Sequence, residues 1–193
     1  MKAYRALSVM TFVFIMTSIS LMPANAITRA ELKKFPVHYT TVPYGEMFTK
    51  FFRQDARGRY TVKGEKPLLL VINIKGCGPC ISARLFLNWM VDYHRKKDVD
   101  YSQIMISDSD KNTKQLYDLA EQYGIPQSEI TGAPIIMLFN RYGNLVFHTI
   151  GFPGESSLPF IKGVGEVPVW NHFSSSKPYG EKIQNLLRAY DNL

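Results

Sequence analysis

Leu68-Leu69-Leu70-Val71-Ile72-Asn73-Ile74-Lys75-Gly76-Cys77-Gly78-Pro79-Cys80 decides how this chain is read. The first seven residues form an apolar, partly β-branched run of strand length. Beyond the cysteines, Ile81 to Arg95 carries Ile81, Leu85, Trp89, Met90 and Tyr93 at helical spacing. Cys77 and Cys80 are the only two cysteines of the chain, three positions apart. A dithiol at that spacing can close into a small disulfide ring and reopen, which makes it a two-electron switch.

Only a thiolate attacks a disulfide, so Cys77 must ionise at working pH. At the start of a helix it faces unpaired backbone N–H groups and the positive end of the macrodipole, and both favour the anion. Pro79 suits the first helical turn, where its missing N–H costs nothing. Lys75 adds positive potential two residues upstream, although such a lysine is more often simply solvated. Cys80, one turn into the helix, is expected to be shielded and to act as the resolving thiol.

The 193 residues, 46% of them hydrophobic, suit one globular domain with a proper core. The N-terminus reads differently. Met1 to Arg5 carries Lys2 and Arg5, Ala6 to Met22 is apolar with scattered Ser and Thr, and Pro23-Ala24-Asn25-Ala26 has the small-x-small pattern of a signal-peptidase site. Residues 1–26 are therefore expected to be a cleaved secretory signal that delivers residues 27–193 to the periplasm as a single domain. The apolar run is short for a membrane span and holds Thr17, Ser18 and Ser20, and no cysteine follows it to take a lipid.

Export bears on the dithiol. Disulfides persist in an oxidising compartment, and a chain with no other cysteine leaves its single pair free for redox work. The formal charge of +7 falls by two, to +5, without Lys2 and Arg5. The excess is scattered, with no basic stripe interleaved with aromatics, which argues against a nucleic-acid partner.

Along the rest of the chain, residues 37–42 read as a strand and Tyr44 to Arg53 as a helix, with Met47, Phe48, Phe51 and Phe52 on one side. Asp55 to Lys66 is a polar loop with room for a brief hairpin. Val99 to Ser107 reads as a strand, Asp108-Ser109-Asp110 as a helix cap, and Lys114 to Tyr123 as a helix ended by Gly124. Ala133 to Phe139 is a strand opened by Pro134, and Leu145 to Ile150 returns as its hairpin partner. Pro178 to Asp191 is the last helix, with Ile183, Leu186, Leu187 and Tyr190 on one face. This alternation predicts an α/β fold, a central mixed β-sheet flanked by helices on both faces.

Over residues 37–150 and the last helix, the order of elements and the local words resemble thioredoxin. Cys77-Gly78-Pro79-Cys80 matches that family's active-site tetrapeptide, and Tyr123-Gly124-Ile125 and Gly132-Ala133-Pro134 resemble two further family segments. The resemblance implies the thioredoxin fold and a protein thiol–disulfide oxidoreductase with Cys77 as nucleophile and Cys80 as resolver. It also implies a cis Ala133–Pro134 bond beside the dithiol, with Gly76, Gly78, Pro79, Ala133 and Pro134 meeting an extended substrate strand. Gly151 resembles the glycine bordering the family's substrate groove. No cofactor is implied beyond the Cys77–Cys80 disulfide itself. The expected partners are proteins carrying thiols or disulfides and a membrane thiol relay that supplies electrons; a monomer is expected. The Gly-Pro dipeptide leans towards a reductase or isomerase.

Three departures stand out. The family's buried acid, six positions before the first cysteine, is Val71 here, and its lysine partner is missing where the next strand reads Ile104-Met105-Ile106. The tryptophan that usually precedes the first cysteine is Gly76. Residues 152–177 form an insertion before the last helix, too apolar for a linker, read first as a cover over a sheet edge or helix and second as a docking loop. The spacing from Cys80 to Pro134 leaves no room for the helical insertion of DsbA-type oxidases, and residues 27–66 are too few for a DsbC-type dimerisation domain. Two other readings are a Cu(I)-binding protein using the two thiolates and an envelope-complex docking protein without redox turnover. His38, His94, His148 and His172 show no ligand-like spacing, so no metal site is expected from them.

Overall fold

The apolar run ahead of the cysteines is the middle strand of a five-stranded sheet. In this computed structural model, which describes residues 26–27, 32–94, 98–106, 113–152, 161–162 and 177–193, the elements before it are β1 (Ala26–Ile27), β2 (Thr40–Pro43), α1 (Tyr44–Phe51), β3 (Phe52–Gln54) and β4 (Tyr60–Val62). Then come β5 (Leu68–Ile74), α2 (Gly78–His94), β6 (Asp100–Ile106) and α3 (Lys114–Gln122). A 3₁₀ turn at Gln127–Glu129, β7 (Ile135–Phe139), β8 (Leu145–Ile150), β9 (Ile161–Lys162) and α4 (Lys177–Asp191) complete the order. The expected signal segment before Ala26, most of the 152–177 insertion and the expected Asp108–Asp110 cap lie outside the described residues.

The sheet runs β2-β6-β5-β7-β8. β2 and β5 pair with β6 in parallel, whereas β7 is antiparallel to both β5 and β8. This is a central mixed sheet with helices on both faces, the thioredoxin-like arrangement. Alternate residues of β5 serve opposite cores. Leu69 and Val71 join Ala83, Phe86, Leu87 and Met90 of α2 and Ile183, Leu186, Leu187 and Tyr190 of α4. Leu68, Leu70 and Ile72 join Met47, Phe48 and Phe51 of α1 and Leu116, Leu119 and Ala120 of α3. A strand buried on both faces reads as a continuous apolar run, because neither face needs polar residues.

The main differences from the sequence reading are two boundaries and one helix face. The first strand of the large sheet begins at Thr40, because His38 bonds Asp92 of α2 at 3.0 Å and the Tyr39 ring packs edge-on to Tyr101 at 5.5 Å. The His38–Asp92 bond draws the chain ahead of Thr40 towards α2, while Tyr39 stays beside β6. The first helix stops at Phe51, and Phe52 to Gln54 turn back as β3 against β4. Asp55 closes that hairpin by accepting the backbone N–H groups of Arg57 and Arg59, and Gly58 supplies the left-handed φ of 79°. In α2 the buried apolar residues are Ala83, Phe86, Leu87, Trp89, Met90 and Val91; of the expected set Trp89 and Met90 lie in the core, Ile81 and Leu85 are half-buried and Tyr93 is 45% exposed. Because α2 is covered on most of its circumference, the apolar spacing alone points to no single face.

Phe86 is fully buried and its ring meets both Trp89 at 5.4 Å and Phe152 at 5.6 Å. Phe86→Ala is expected to cost about 3–5 kcal/mol of stability, whereas Tyr142→Ala, at an exposed turn, should stay within about 0.5 kcal/mol. Denaturant titration of both variants measures the contrast.

Burial raises the hydroxyl pKa of Tyr60, Tyr101, Tyr123 and Tyr190. A group whose folded pKa lies above its unfolded value stabilises fully below the unfolded pKa, and that contribution is lost as pH rises towards the folded value. The denaturation midpoint should therefore fall as pH rises above about 10, the free tyrosine value. A midpoint that stays level through that range would contradict the burial of these hydroxyls.

Candidate active site

β5 ends at Ile74, Lys75 and Gly76 make the turn, and α2 begins at Gly78. Gly76 has φ 78°, a left-handed conformation that side chains rarely adopt, and nothing lies within 4 Å of where its Cβ would be. The position that usually carries tryptophan in the family is thus open, and the turn is tight enough to favour glycine. Lys75 is exposed. Cys77 stands just before the helix: its carbonyl accepts the Ile81 N–H at 3.3 Å.

Cys77 and Cys80 are joined as a disulfide with Cα atoms 5.2 Å apart. The Cys80 backbone N–H points at Cys77 Sγ, at 3.1 Å. That donor, together with the N-terminus of a 17-residue helix with no acidic side chain in its first turn, favours a thiolate on Cys77 once the disulfide opens. Cys77 is half-buried and Cys80 is 6% exposed, so an incoming group reaches the first sulfur and not the second.

The second wall comes from the loop before β7. Cys77 Sγ lies 3.6 Å from the Ala133 carbonyl oxygen. The Ala133–Pro134 peptide bond is cis, Pro134 is buried, and Gly132 and Ala133 keep contact with solvent. The Gly151 N–H donates to the Pro134 carbonyl at 2.8 Å, with Gly151 at φ 76°, which ties the end of β8 to this loop. Gly76, Cys77, Gly78, Pro79, Ala133 and Gly151 are thereby gathered at one end of the sheet, with Pro134 beneath them.

Val71 is fully buried where the family has its acid. The residue opposite it is Gln103, not the apolar Ile104-Met105-Ile106 expected from the sequence. Gln103 and Asn73 are both buried. The Asn73 side-chain amide donates to Gln103 Oε1, and Gln103 Nε2 donates to the Tyr101 hydroxyl. This polar chain escaped the sequence reading. Its signal was one amide inside each of two otherwise largely apolar strands. Among the described residues no group of three or more His, Cys, Asp or Glu could hold a metal ion. His38 faces Asp92 at 3.0 Å and His148 faces Glu129 at 3.8 Å, both away from the dithiol in sequence and partner.

No protein-family model matches the chain, and no curated protein matches it. Among solved structures it is similar to StoA from Bacillus subtilis, at 16% identity over 56% of this chain and 92% of that one, with a TM-score of 0.34. It is also similar to thioredoxin f2 from Chlamydomonas reinhardtii, at 16% identity over 58% of this chain and 83% of that one, TM-score 0.37. Oxidised mitochondrial thioredoxin 3 from Saccharomyces cerevisiae matches at 18% identity over 58% and 83%, TM-score 0.33. These are thioredoxin-like proteins. In this chain the fold stands on its own sheet order and on a CxxC pair at the helix that follows the central strand.

The unequal burial of the two sulfurs sets an order of reactivity. In the reduced protein, iodoacetamide should modify Cys77 at least about tenfold faster than Cys80, as read by peptide mass mapping. Equal rates would remove the nucleophile–resolver distinction.

Proposed function

We propose that this protein is an exported thiol–disulfide oxidoreductase acting on protein disulfides, working as a reductase or isomerase. The observation that carries the reading is the placement of Cys77. It combines a helix N-terminus, a backbone N–H on its sulfur and the Ala133 carbonyl 3.6 Å away. An extended client strand laid along Ala133 would bring its own disulfide to that sulfur by backbone pairing, the mode of β-augmentation.

In the reductive direction the Cys77 thiolate attacks one client sulfur, forming a mixed disulfide and releasing the other client sulfur as a thiolate, which takes a proton. Cys80 then loses its proton and attacks Cys77 Sγ, releasing the second client sulfur. The client gains two electrons and two protons, and Cys77–Cys80 returns to the disulfide. Turnover then needs a dithiol donor, which for a periplasmic protein is a membrane thiol relay. Residues 1–26 supply the export signal in this reading, and the CGPC tetrapeptide supplies the lean towards reduction or isomerisation.

Cys80→Ser removes the resolving step while keeping the nucleophile. That variant should accumulate client proteins as mixed disulfides, seen as reductant-sensitive bands on gels and absent from Cys77→Ser. If Cys80→Ser traps nothing and the unaltered protein fails to reduce a small protein disulfide, the proposal falls.

A further inference from the structure

A cavity of about 350 Å³ opens at the outer edge of β8, lined by Glu129, Thr131, His148, Thr149, Ile150 and Lys182. β8 ends the sheet order, so this edge pairs with no further strand of that sheet. The cavity straddles the edge. Thr149 shares a face with its partner Ile136, the face that α4 covers, while His148 and Ile150 on either side of it take the other.

Two of its walls belong to the dithiol loop. Thr131 stands two residues before Ala133, whose carbonyl lies 3.6 Å from Cys77 Sγ. Ile150 pairs with Ile135 and precedes Gly151, whose N–H holds the Pro134 carbonyl. β8 is two strands from β5, a separation of about 10 Å.

The lining selects one kind of group. Thr149 is 6% exposed, and its Oγ1 has no hydrogen-bond partner among the described residues. A buried hydroxyl left unpaired costs free energy, and here its residue borders space that a ligand can fill. Lys182 reaches over the same edge from α4, and its Nζ donates to the Ile150 carbonyl at 3.4 Å. An ammonium has three donors, so it can take a further acceptor while keeping that contact. The acid of the lining, Glu129, faces His148 at 3.8 Å. A hydroxyl and an ammonium at one cavity match an oxygen acceptor, and a carboxylate suits them best because charge-assisted bonds are the stronger ones.

We propose that this cavity is a subsite for an acidic side chain of the client, an Asp or Glu about three residues from the client cysteine. An extended strand advances roughly 3.3 Å per residue, so three residues span the distance from β5 to the β8 edge. The carboxylate accepts from the Thr149 hydroxyl and the Lys182 ammonium, and Thr131 borders the path that leads there from Ala133. Backbone pairing at Ala133 is indifferent to client sequence; this subsite adds a choice by charge. The inference deepens the oxidoreductase reading and rests on it.

The test uses peptides with one cysteine in a mixed disulfide with a small thiol, and Glu, Gln or Lys placed three residues to either side. At one of the two positions, reduced protein in single turnover should attack the Glu peptide about 3- to 10-fold faster than the Gln peptide, the span of one hydrogen bond. The Lys peptide should be slower than both. In Thr149→Val, which keeps the shape and removes the unpaired hydroxyl, the Glu-to-Gln ratio should fall towards one, and so it should in Lys182→Met. Lys182 is exposed, so its variant reports the ratio even where Thr149→Val fails to fold. Equal rates for Glu and Gln at both positions overturn the proposal, as does a preference that survives both substitutions. A protein that attacks no peptide loses its proposed function, and the subsite is then read alone. N-acetylglutamate amide, and not N-acetylglutamine amide, should shift the backbone amide resonances of Thr131, Thr149 and Ile150. Identical responses to the two compounds overturn the subsite by themselves.

Discussion

The antiparallel pairing of β5 with β7, and above all the Ile72–Ile135 step, is the constraint on which the rest depends. It sets the end of the central strand against the start of its neighbour. The turn that launches α2 then has to pass beside the Ala133–Pro134 loop. Neither cysteine reaches that loop through local structure: Cys77 and Ala133 are 56 residues apart, and only the sheet brings the sulfur within 3.6 Å of the carbonyl. The two apolar cores hold the pairing in register, since a one-residue slip would exchange their contents across the sheet.

On that frame the site combines a fixed backbone with unequal burial. Helix N–H groups and the Cys80 amide supply positive potential at Cys77 from the backbone itself. One turn on, Cys80 is enclosed by the same helix. A single helical turn thus provides two thiols of different character. Beneath them the charged pair typical of thioredoxin is replaced by Val71 and a chain of uncharged amides ending on Tyr101, whose own ionisation burial suppresses. Uncharged groups there avoid the desolvation penalty of a buried acid and leave hydrogen-bond geometry as the remaining control.

Much of this was legible in the linear chain. The apolar run, the CxxC pair and the helical spacing after it placed the dithiol, and the Gly132-Ala133-Pro134 segment named its neighbour by resemblance. The misreadings have a common cause. Residues 37–39 look like a strand, but His38 is drawn to Asp92 of α2, a contact between residues 54 positions apart. In α2, apolar residues surround the helix, so spacing could not tell the Phe86–Met90 stripe from the Leu85–Tyr93 one. Gln103 was passed over because strand pairing is invisible locally: reading Ile104 to Ile106 as the neighbour of Val71 was off by one residue or more.

Chemistry that resides in residue type and short-range order was fixed by the sequence alone: one dithiol, a helix to activate it, a strand to carry it and a mixed sheet to bury that strand. Register belonged to the tertiary structure. It decided that Gln103 lies opposite Val71, that Asn73 falls level with Pro134, and that Asn73, Gln103 and Tyr101 join in one buried polar chain. The reason is physical: side-chain pattern selects an element within a few residues, whereas which residues meet across a sheet is set by packing both of its faces at once.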